Sequence, residues 1–167
     1  ILARADQGEA ATGLTAADVA HEVEMTIEFF EPMLHETGAT VPIEGDLRTQ
    51  ATMNVALFRR ALSNLLQNAI EHSAAGARLV VRISRRGGAI WIAVANPGAT
   101  IAAAHLPRLF DRFYRVDSSR HDAGDVRGHG LGLAIVKAVA AMHGGATLAT
   151  SEAGITTIAF SLADAPQ

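Results

Sequence analysis

Two asparagines one helical turn apart stand out in a segment that otherwise has the pattern of a buried helix. Asn64 and Asn68 lie in "SNLLQNAIEHS" (63–73), although asparagine is a poor helix former because its amide competes for backbone hydrogen bonds. Glu71 and His72 lie on the same face of the helix, seven and eight residues after Asn64, so all four side chains can contact one ligand. A neutral carboxamide suits a metal ion that carries phosphates. Two solvated surface asparagines are the alternative.

A second candidate site is the glycine-rich segment "RGHGLGLAIV" (127–136). Gly128, Gly130 and Gly132 lead into a helix predicted from Leu131 to Met142, and such a start lets backbone N–H groups and the positive helix end approach a phosphate. The pattern alone is weak, since glycines also punctuate loops, and no hydrophobic strand runs into it as in the dinucleotide fingerprint. The turn "NPG" (96–98) needs no ligand at all.

Between these glycine segments, residues 105–129 carry five of the thirteen arginines. The stretch is too long for an ordinary connection in a compact domain, and such stretches are usually lids or disordered segments. The predicted anchors of this stretch are three apolar residues, Leu109, Phe110 and Phe113. Two arginines are predicted to reach phosphates, Arg115 and Arg120. A solvated loop of mixed charge is the alternative, because four aspartates are interspersed with the arginines.

The elements that must position these residues follow an α+β order. Thr15 and Asp18 form a predicted capping pair for a helix over 19–34 whose end Pro32 weakens, and Asn54 is the predicted N-cap of a helix over 55–73. Strand pairs are predicted around "RRGG" and around Ala153-Gly154. We therefore expect a mixed, mostly antiparallel sheet covered by helices on one face, a two-layer sandwich. The predicted extended segments are 40–45, 50–55, 77–84, 89–95, 146–151 and 156–162.

Composition bounds the possible functions. With 167 residues, 49% of them hydrophobic, and a formal charge of −3, the chain can bury one good core as a single soluble domain, and no strong field indicates nucleic acid or membrane. The absence of cysteine excludes disulfides and cysteine-based metal or redox sites. The chain begins at Ile1 in "ILARADQGEA", which has the pattern of the last turns of a helix, so we expect a piece of a longer protein.

Taken in order, these segments resemble the catalytic, ATP-binding domain of a two-component sensor histidine kinase. "NLLQNAIEHS" is similar to its N box, "NPG" to its G1 box, "LFDRFYR" to its F box and "GHGLGLAIV" to its G2 box. The wording "HLPRLFDRFYRVDSSR" is most similar to the heavy-metal sensor branch. The resemblance implies the fold shared with Hsp90-type ATPases, Mg²⁺-ATP as cofactor, and transfer of the γ-phosphoryl group to a histidine.

The resemblance also implies roles for individual residues. Asn68 matches the Mg²⁺ ligand, and Asn64 and Asn68 are the predicted catalytic pair. On the base side, His72 falls near the adenosine, Asn96 would accept a hydrogen bond from the adenine amino group, and Gly98 and Ile101 would line the pocket. The remaining predicted nucleotide contacts lie in the lid and the glycine-rich segment: Phe110, Arg115, Arg120, Gly128, Gly130, Leu131 and Gly132.

Three positions separate the possible activities. Glu71 stands where the family commonly has lysine or arginine on phosphate, and Asn96 where it commonly has aspartate. These departures keep open a nucleotide-binding regulatory module that has lost transfer activity. Hydrolases of the same superfold carry a water-activating glutamate at the position of Asn64, and an amide cannot act as that base. Hydrolysis is therefore disfavoured.

The resemblance finally sets the expected context of the chain. Among the seven histidines, His21 with Glu22 begins like the family's phosphoacceptor box, and the rest of that box is missing. We therefore expect residues 1–12 to be the tail of a preceding dimerisation helix with its linker, and 13–167 to be the catalytic domain. The implied partners are the dimerisation domain and a response regulator, not nucleic acid. The fragment is expected to be a monomer, and the whole a homodimer in the bacterial inner membrane with this domain in the cytoplasm.

Overall fold

A computed structural model describes residues 1–114 and 131–164. Five α-helices, seven strands and a short 3₁₀ helix at Leu106–Arg108 lie in these ranges. The helices are α1 Leu2–Asp6, α2 Val19–Phe29, α3 Glu31–Thr37, α4 Val55–Glu71 and α5 Gly132–Met142. The strands are β1 Thr15–Asp18, β2 Ile43–Gly45, β3 Gln50–Met53, β4 Val80–Arg86, β5 Ala89–Pro97, β6 Thr147–Glu152 and β7 Ile155–Ala163.

The main sheet has the strand order β2-β4-β5-β7-β6. Only the β2–β4 pair is parallel, and the other neighbours are antiparallel. Along β5 the buried residues Ile90, Ile92 and Val94 alternate with half-buried ones, as expected for a strand with one face on the core. Helices α4 and α5 contact this sheet. The predicted two-layer α+β sandwich with a mixed, mostly antiparallel sheet is confirmed.

Helix α4 begins where the sequence predicted. The Asn54 side chain accepts a hydrogen bond from the Leu57 backbone N–H at 3.0 Å, which satisfies one of the unpaired donors of the first turn. Phe58, Leu62 and Leu65 are fully buried on one face. This burial fixes the rotation of the helix, so its asparagine face points away from the core.

Two details of the N-terminal prediction were wrong. Thr15 does not cap α2 but lies in β1, which pairs antiparallel with β3. Asp18 alone caps the helix, by accepting from the His21 N–H at 3.3 Å. The predicted single helix over 19–34 is interrupted at Phe30, because Pro32 occupies the first turn of α3 and cannot donate a backbone hydrogen bond.

Both predicted hairpins are present. In the first, the two arginines of "RRGG" belong to β4, and the turn consists of Gly87 and Gly88 with φ of 60° and 75°. Positive φ at both central residues suits the twist of a two-residue hairpin and favours glycine. The second hairpin turns at Ala153 and Gly154. Within residues 1–114 and 131–164, no helix is long and apolar enough to cross a membrane.

Candidate functional site

The core face of the sheet ends in a row of buried polar side chains. Asn96 on β5 continues the buried alternation of Ile92 and Val94, and it pairs in register with Thr156 on β7, which pairs with Ser151 on β6. Their relative exposures are 5%, 5% and 9%. Buried polar groups at the end of an apolar face must find hydrogen-bond partners, so this row is the first place to look for ligand recognition.

The Asn96 side chain is oriented by its own backbone neighbour. Its Nδ2 donates to the Pro97 carbonyl oxygen at 3.1 Å. A carboxamide has one donor end and one acceptor end, and because the donor end is held by Pro97, the carbonyl oxygen remains to accept a hydrogen bond. This orientation fits the predicted acceptor role of Asn96 without the charge of an aspartate.

The turn after β5 is fastened to the β6–β7 hairpin and to the end of α4. The Gly98 N–H donates to the Gly154 carbonyl at 2.8 Å, and the Ile101 N–H donates to Ser151 Oγ at 2.8 Å. A Cβ added at Gly98 would lie 3.0 Å from the His72 carbonyl oxygen. Because this separation is shorter than ordinary van der Waals contact, the position favours glycine. Gly98 thus lies against the backbone of His72, while Ile101 is held by Ser151. The nucleotide contacts proposed for Gly98, Ile101 and His72 stay predictions.

The asparagine face of α4 reaches the start of α5. Asn64 Nδ2 donates to the Gly132 carbonyl oxygen at 3.1 Å, and Asn68, half-buried, lies one turn farther along the same face toward His72. Gln67 Nε2 donates to Glu71 Oε1 at 3.2 Å. The structure thus gives Asn64 a bridging contact between two helices and leaves Asn68 between that bridge and the turn at 97–101.

Helix α5 presents its N-terminus to the same place. It begins at Gly132 after Leu131, and no side chain of the described residues caps its first turn. Uncapped N–H groups and the positive end of the helix dipole attract anions such as phosphate. Leu131 and Gly132 lie at this helix start, and their proposed nucleotide contacts stay predictions.

The segment 105–114 is anchored by fewer residues than predicted. Leu109 is half-buried and Phe110 is buried in the main core, but Phe113 is 70% exposed with a φ of 63°. The prediction that Phe113 anchors the segment was wrong. Phe110 also lines a groove of about 290 Å³ between α1 and α5. Its proposed nucleotide contact stays a prediction.

Four predicted site residues lie outside the described residues: Arg115, Arg120, Gly128 and Gly130. Their roles stay predictions. The described ranges hold no group of three histidine, aspartate or glutamate side chains arranged for a metal ion.

Sequence reasoning missed Ser151 and Thr156. Each is a small hydroxyl residue in a strand pattern, where such residues are ordinary, and no local signal separates them from Thr150 or Thr157 beside them. Only the register across β5, β7 and β6 brings them beside Asn96.

Comparison with known proteins agrees with this geometry. Catalytic domains of known histidine kinases superpose closely: the nucleotide-free catalytic domain of ThkA has a TM-score of 0.79 at 19% identity, covering 92% of this chain and 97% of that chain. The mycobacterial sensor histidine kinase MprB has a TM-score of 0.75 at 24% identity, covering 92% and 99%. At such identities the likeness shows the fold alone.

Sequence relatives carry the comparison further. Sensor histidine kinase CusS of Escherichia coli K12 is 40% identical over 96% of this chain and 33% of its own length, and sensor protein IrlS of Burkholderia pseudomallei is 35% identical over 93% and 33%. The chain thus spans about a third of these relatives. A family model described as histidine kinase-, DNA gyrase B-, and HSP90-like ATPase matches residues 53–166. With this match across most of the sequence, on a fold that agrees with it, the chain belongs to that ATPase family.

Proposed function

We propose that this chain is the catalytic domain of a sensor histidine kinase, binding Mg²⁺-ATP and transferring its γ-phosphoryl group to a histidine of a dimerisation domain. The observation that carries the proposal is the convergence of three surfaces on one site. These are the asparagine face of α4, the N-terminus of α5, which no side chain of the described residues caps, and the turn held by Ser151 and Gly154 beside Asn96.

In this proposal each group of residues has one task. The Asn96 carbonyl oxygen accepts the adenine amino hydrogen, and Gly98 and Ile101 form the wall along the base. The first-turn N–H groups of α5 bind phosphate oxygens. Asn68 supplies an oxygen ligand to Mg²⁺, which, when bound, neutralises phosphate charge. Asn64 bridges α4 to α5 and so sets the distance between the metal ligand and the phosphate site.

Transfer is favoured over hydrolysis because of Asn64. Its amide donates to the Gly132 carbonyl, and an amide cannot take a proton from water at neutral pH. Phosphoryl transfer needs mainly positioning and charge neutralisation, which this site can supply once an acceptor histidine approaches. The oxygen–phosphorus bond to ADP then breaks as the nitrogen–phosphorus bond to the acceptor forms.

The proposed context follows from the relatives. Similarity to CusS and the lid wording support a sensor of the heavy-metal branch, with the acceptor histidine and response regulator outside this chain. One structural neighbour is histidine kinase ThkA in complex with the response regulator protein TrrA. We propose an analogous partner here, and a cytoplasmic location for this domain within a membrane-bound sensor. Alone, the chain is expected to be a monomer that cannot phosphorylate itself.

Asn68→Ala tests the metal site. We expect Mg²⁺-dependent binding of a non-hydrolysable ATP analogue to weaken at least about tenfold, because a metal ligand is lost, while the circular dichroism spectrum and melting temperature stay close to wild type. Isothermal titration with and without Mg²⁺ measures this effect. Gln67→Ala is the matched control, since that amide bonds along the helix to Glu71. Wild-type titration by Asn68→Ala would remove the role given to Asn68.

A second candidate is a nucleotide-binding regulatory module without transfer activity, favoured by Glu71 and Asn96 at positions where the family usually carries other residues. A matching dimerisation domain supplied in trans with radiolabelled ATP separates the two. Acid-labile, base-stable phosphate on that domain supports the kinase. Its absence under conditions where ATP binding is measured supports the module.

A further inference from the structure

A buried serine at the end of β6 contacts two parts of the candidate site at once. Ser151 Oγ accepts the Ile101 backbone N–H at 2.8 Å and lies 2.9 Å from Thr156 Oγ1. Both hydroxyl residues are nearly buried, with 9% and 5% exposure. Ser151 therefore joins the pocket wall at Ile101 to the polar row that includes Asn96.

The directions of these hydrogen bonds follow from counting hydrogens. The Ile101 N–H uses one lone pair of Ser151 Oγ, so the serine still has its own hydrogen to place. Among the described residues, Thr156 Oγ1 is the acceptor that this serine hydrogen can reach. A buried hydroxyl hydrogen without an acceptor is costly. Either hydroxyl can donate across this contact, but both hydrogens find acceptors at once only where Ser151 donates to Thr156 and Thr156 donates to a bound ligand.

We propose that Ser151 is a positioning residue for base recognition: it holds Ile101 against the hairpin and turns the Thr156 hydroxyl so that its hydrogen faces the base. This inference rests on the proposed function. Thr156 lies directly across the β5–β7 ladder from Asn96. With Ser151 in place, the row presents an acceptor, Asn96 Oδ1, beside a donor, the Thr156 hydroxyl.

That donor and acceptor order distinguishes purines. Adenine offers an amino hydrogen at C6 and an unprotonated N1, which complement an acceptor beside a donor, directly or through a water. Hypoxanthine offers the reverse order, a carbonyl oxygen at C6 and a hydrogen on N1. Without Ser151, the Thr156 hydroxyl can rotate, so that it either donates to N1 of adenine or accepts the hydrogen on N1 of hypoxanthine. Ser151 is therefore expected to control the preference for adenine as well as affinity.

A second hydrogen bond, between main-chain atoms, also holds the turn after β5 to the β6–β7 hairpin, and the test must leave it intact. The Gly98 N–H donates to the Gly154 carbonyl at 2.8 Å through main-chain atoms alone. Replacing Ser151 therefore frees one end of the turn and not the other, so the pocket wall is loosened rather than lost. A matched control lies on the same strand: Thr150 is exposed and pairs with Thr157.

The experiment is calorimetric titration of wild type, Ser151→Ala and Thr150→Ala with ADP and with inosine diphosphate, with Mg²⁺. We expect wild type to prefer ADP. In Ser151→Ala, ADP affinity should fall about 5- to 30-fold, the effect of one buried hydrogen bond, and the ADP-to-inosine-diphosphate ratio should fall with it. Thr150→Ala should match wild type in both. If Ser151→Ala does not melt cooperatively, Ser151→Cys, which keeps the side-chain size, must show the same falling ratio.

The outcomes distinguish this inference from the function on which it rests. Wild type that binds neither nucleotide overturns the proposed function, and the inference falls with it. Wild type that binds ADP while the Ser151 variant keeps its affinity and ratio overturns the inference alone. Equal losses for both nucleotides, or a wild type without preference for ADP, also overturn it, because a purely structural serine would behave in that way.

Discussion

At the scale of single residues, the buried polar side chains differ in whether they have hydrogen-bond partners. Asn96, Ser151 and Thr156 are linked to partners and form one row. Thr49 differs: its Oγ1 is buried and has no hydrogen-bond partner in the described part of the chain. A hydroxyl in that condition loses its hydration without compensation.

We predict that Thr49→Val stabilises the fold. Valine keeps the shape and removes the uncompensated hydroxyl, so the free energy of unfolding should rise by up to about 1 kcal/mol. Urea unfolding followed by circular dichroism measures the change. Thr52→Val, at an exposed position of β3, should stay within about 0.5 kcal/mol of wild type. Destabilisation by Thr49→Val would mean that a water satisfies the hydroxyl.

The orientation of Asn96 gives a second prediction at this scale. Asn96→Ala removes the proposed acceptor for the adenine amino group but not the rest of the candidate site. Affinity for ADP should fall about tenfold, whereas affinity for a purine nucleotide without the amino group should change little. Competition titration against both ligands measures the difference. Equal losses for both ligands would place the adenine amino group elsewhere.

At the scale of elements, the local signals worked where one segment decides its own structure. Asn54 caps α4 as its position predicted, and two hairpins turn at Gly87-Gly88 and at Ala153-Gly154. Strand β1 was missed because "TAAD" has little β-propensity, and it forms only through pairing with β3, with Thr15 opposite Met53. The Ser151–Thr156 row was missed for the same reason, since cross-strand register is not written in either strand alone.

Packing between elements also depends on a charge pair that the sequence does not reveal. Glu22 on α2 is buried, and Arg59 on α4 contacts its Oε1 at 2.6 Å. The two side chains are 10% and 42% exposed. The arginine is partly solvated, so the pair itself contributes modestly, but a buried carboxylate that loses its partner is costly.

We therefore predict that Arg59→Ala destabilises the fold by about 1–2 kcal/mol, after allowance for the exposure of the arginine. Arg78→Ala is the control, because Arg78 contacts the more exposed Glu44, which keeps Arg82 at 2.7 Å. Its effect should stay within about 0.5 kcal/mol. Urea unfolding compares the two variants. Equal losses of stability in the two variants would show that the Glu22–Arg59 pair contributes no more than an exposed ion pair.

At the scale of the whole molecule, residues 11 and 12 are hydrogen-bonded to the body of the domain. The Ala11 N–H donates to the Met142 carbonyl and Asn54 Nδ2 donates to the Thr12 carbonyl, both at 2.8 Å. The Asn54 N–H donates to His143 Nε2 at 3.1 Å. The start of α4, the end of α5 and the chain after α1 are therefore held together. The sequence predicted a boundary after residue 12, but these contacts favour one before Ala11.

Two truncations test that boundary. No residue of α1 is buried, so removal of residues 1–10 should cost little more than its contact with α5 and the Asp6–Arg112 ion pair. Removal of residues 1–12 also deletes two hydrogen bonds and the buried Ala11, and should lower the free energy of unfolding by about 1–3 kcal/mol more. Thermal and urea unfolding measure both variants, and ADP titration checks the site. Since the site is built from α4, α5 and the sheet, both should keep wild-type ADP affinity. Equal stability of the two truncations would return the boundary to residue 12.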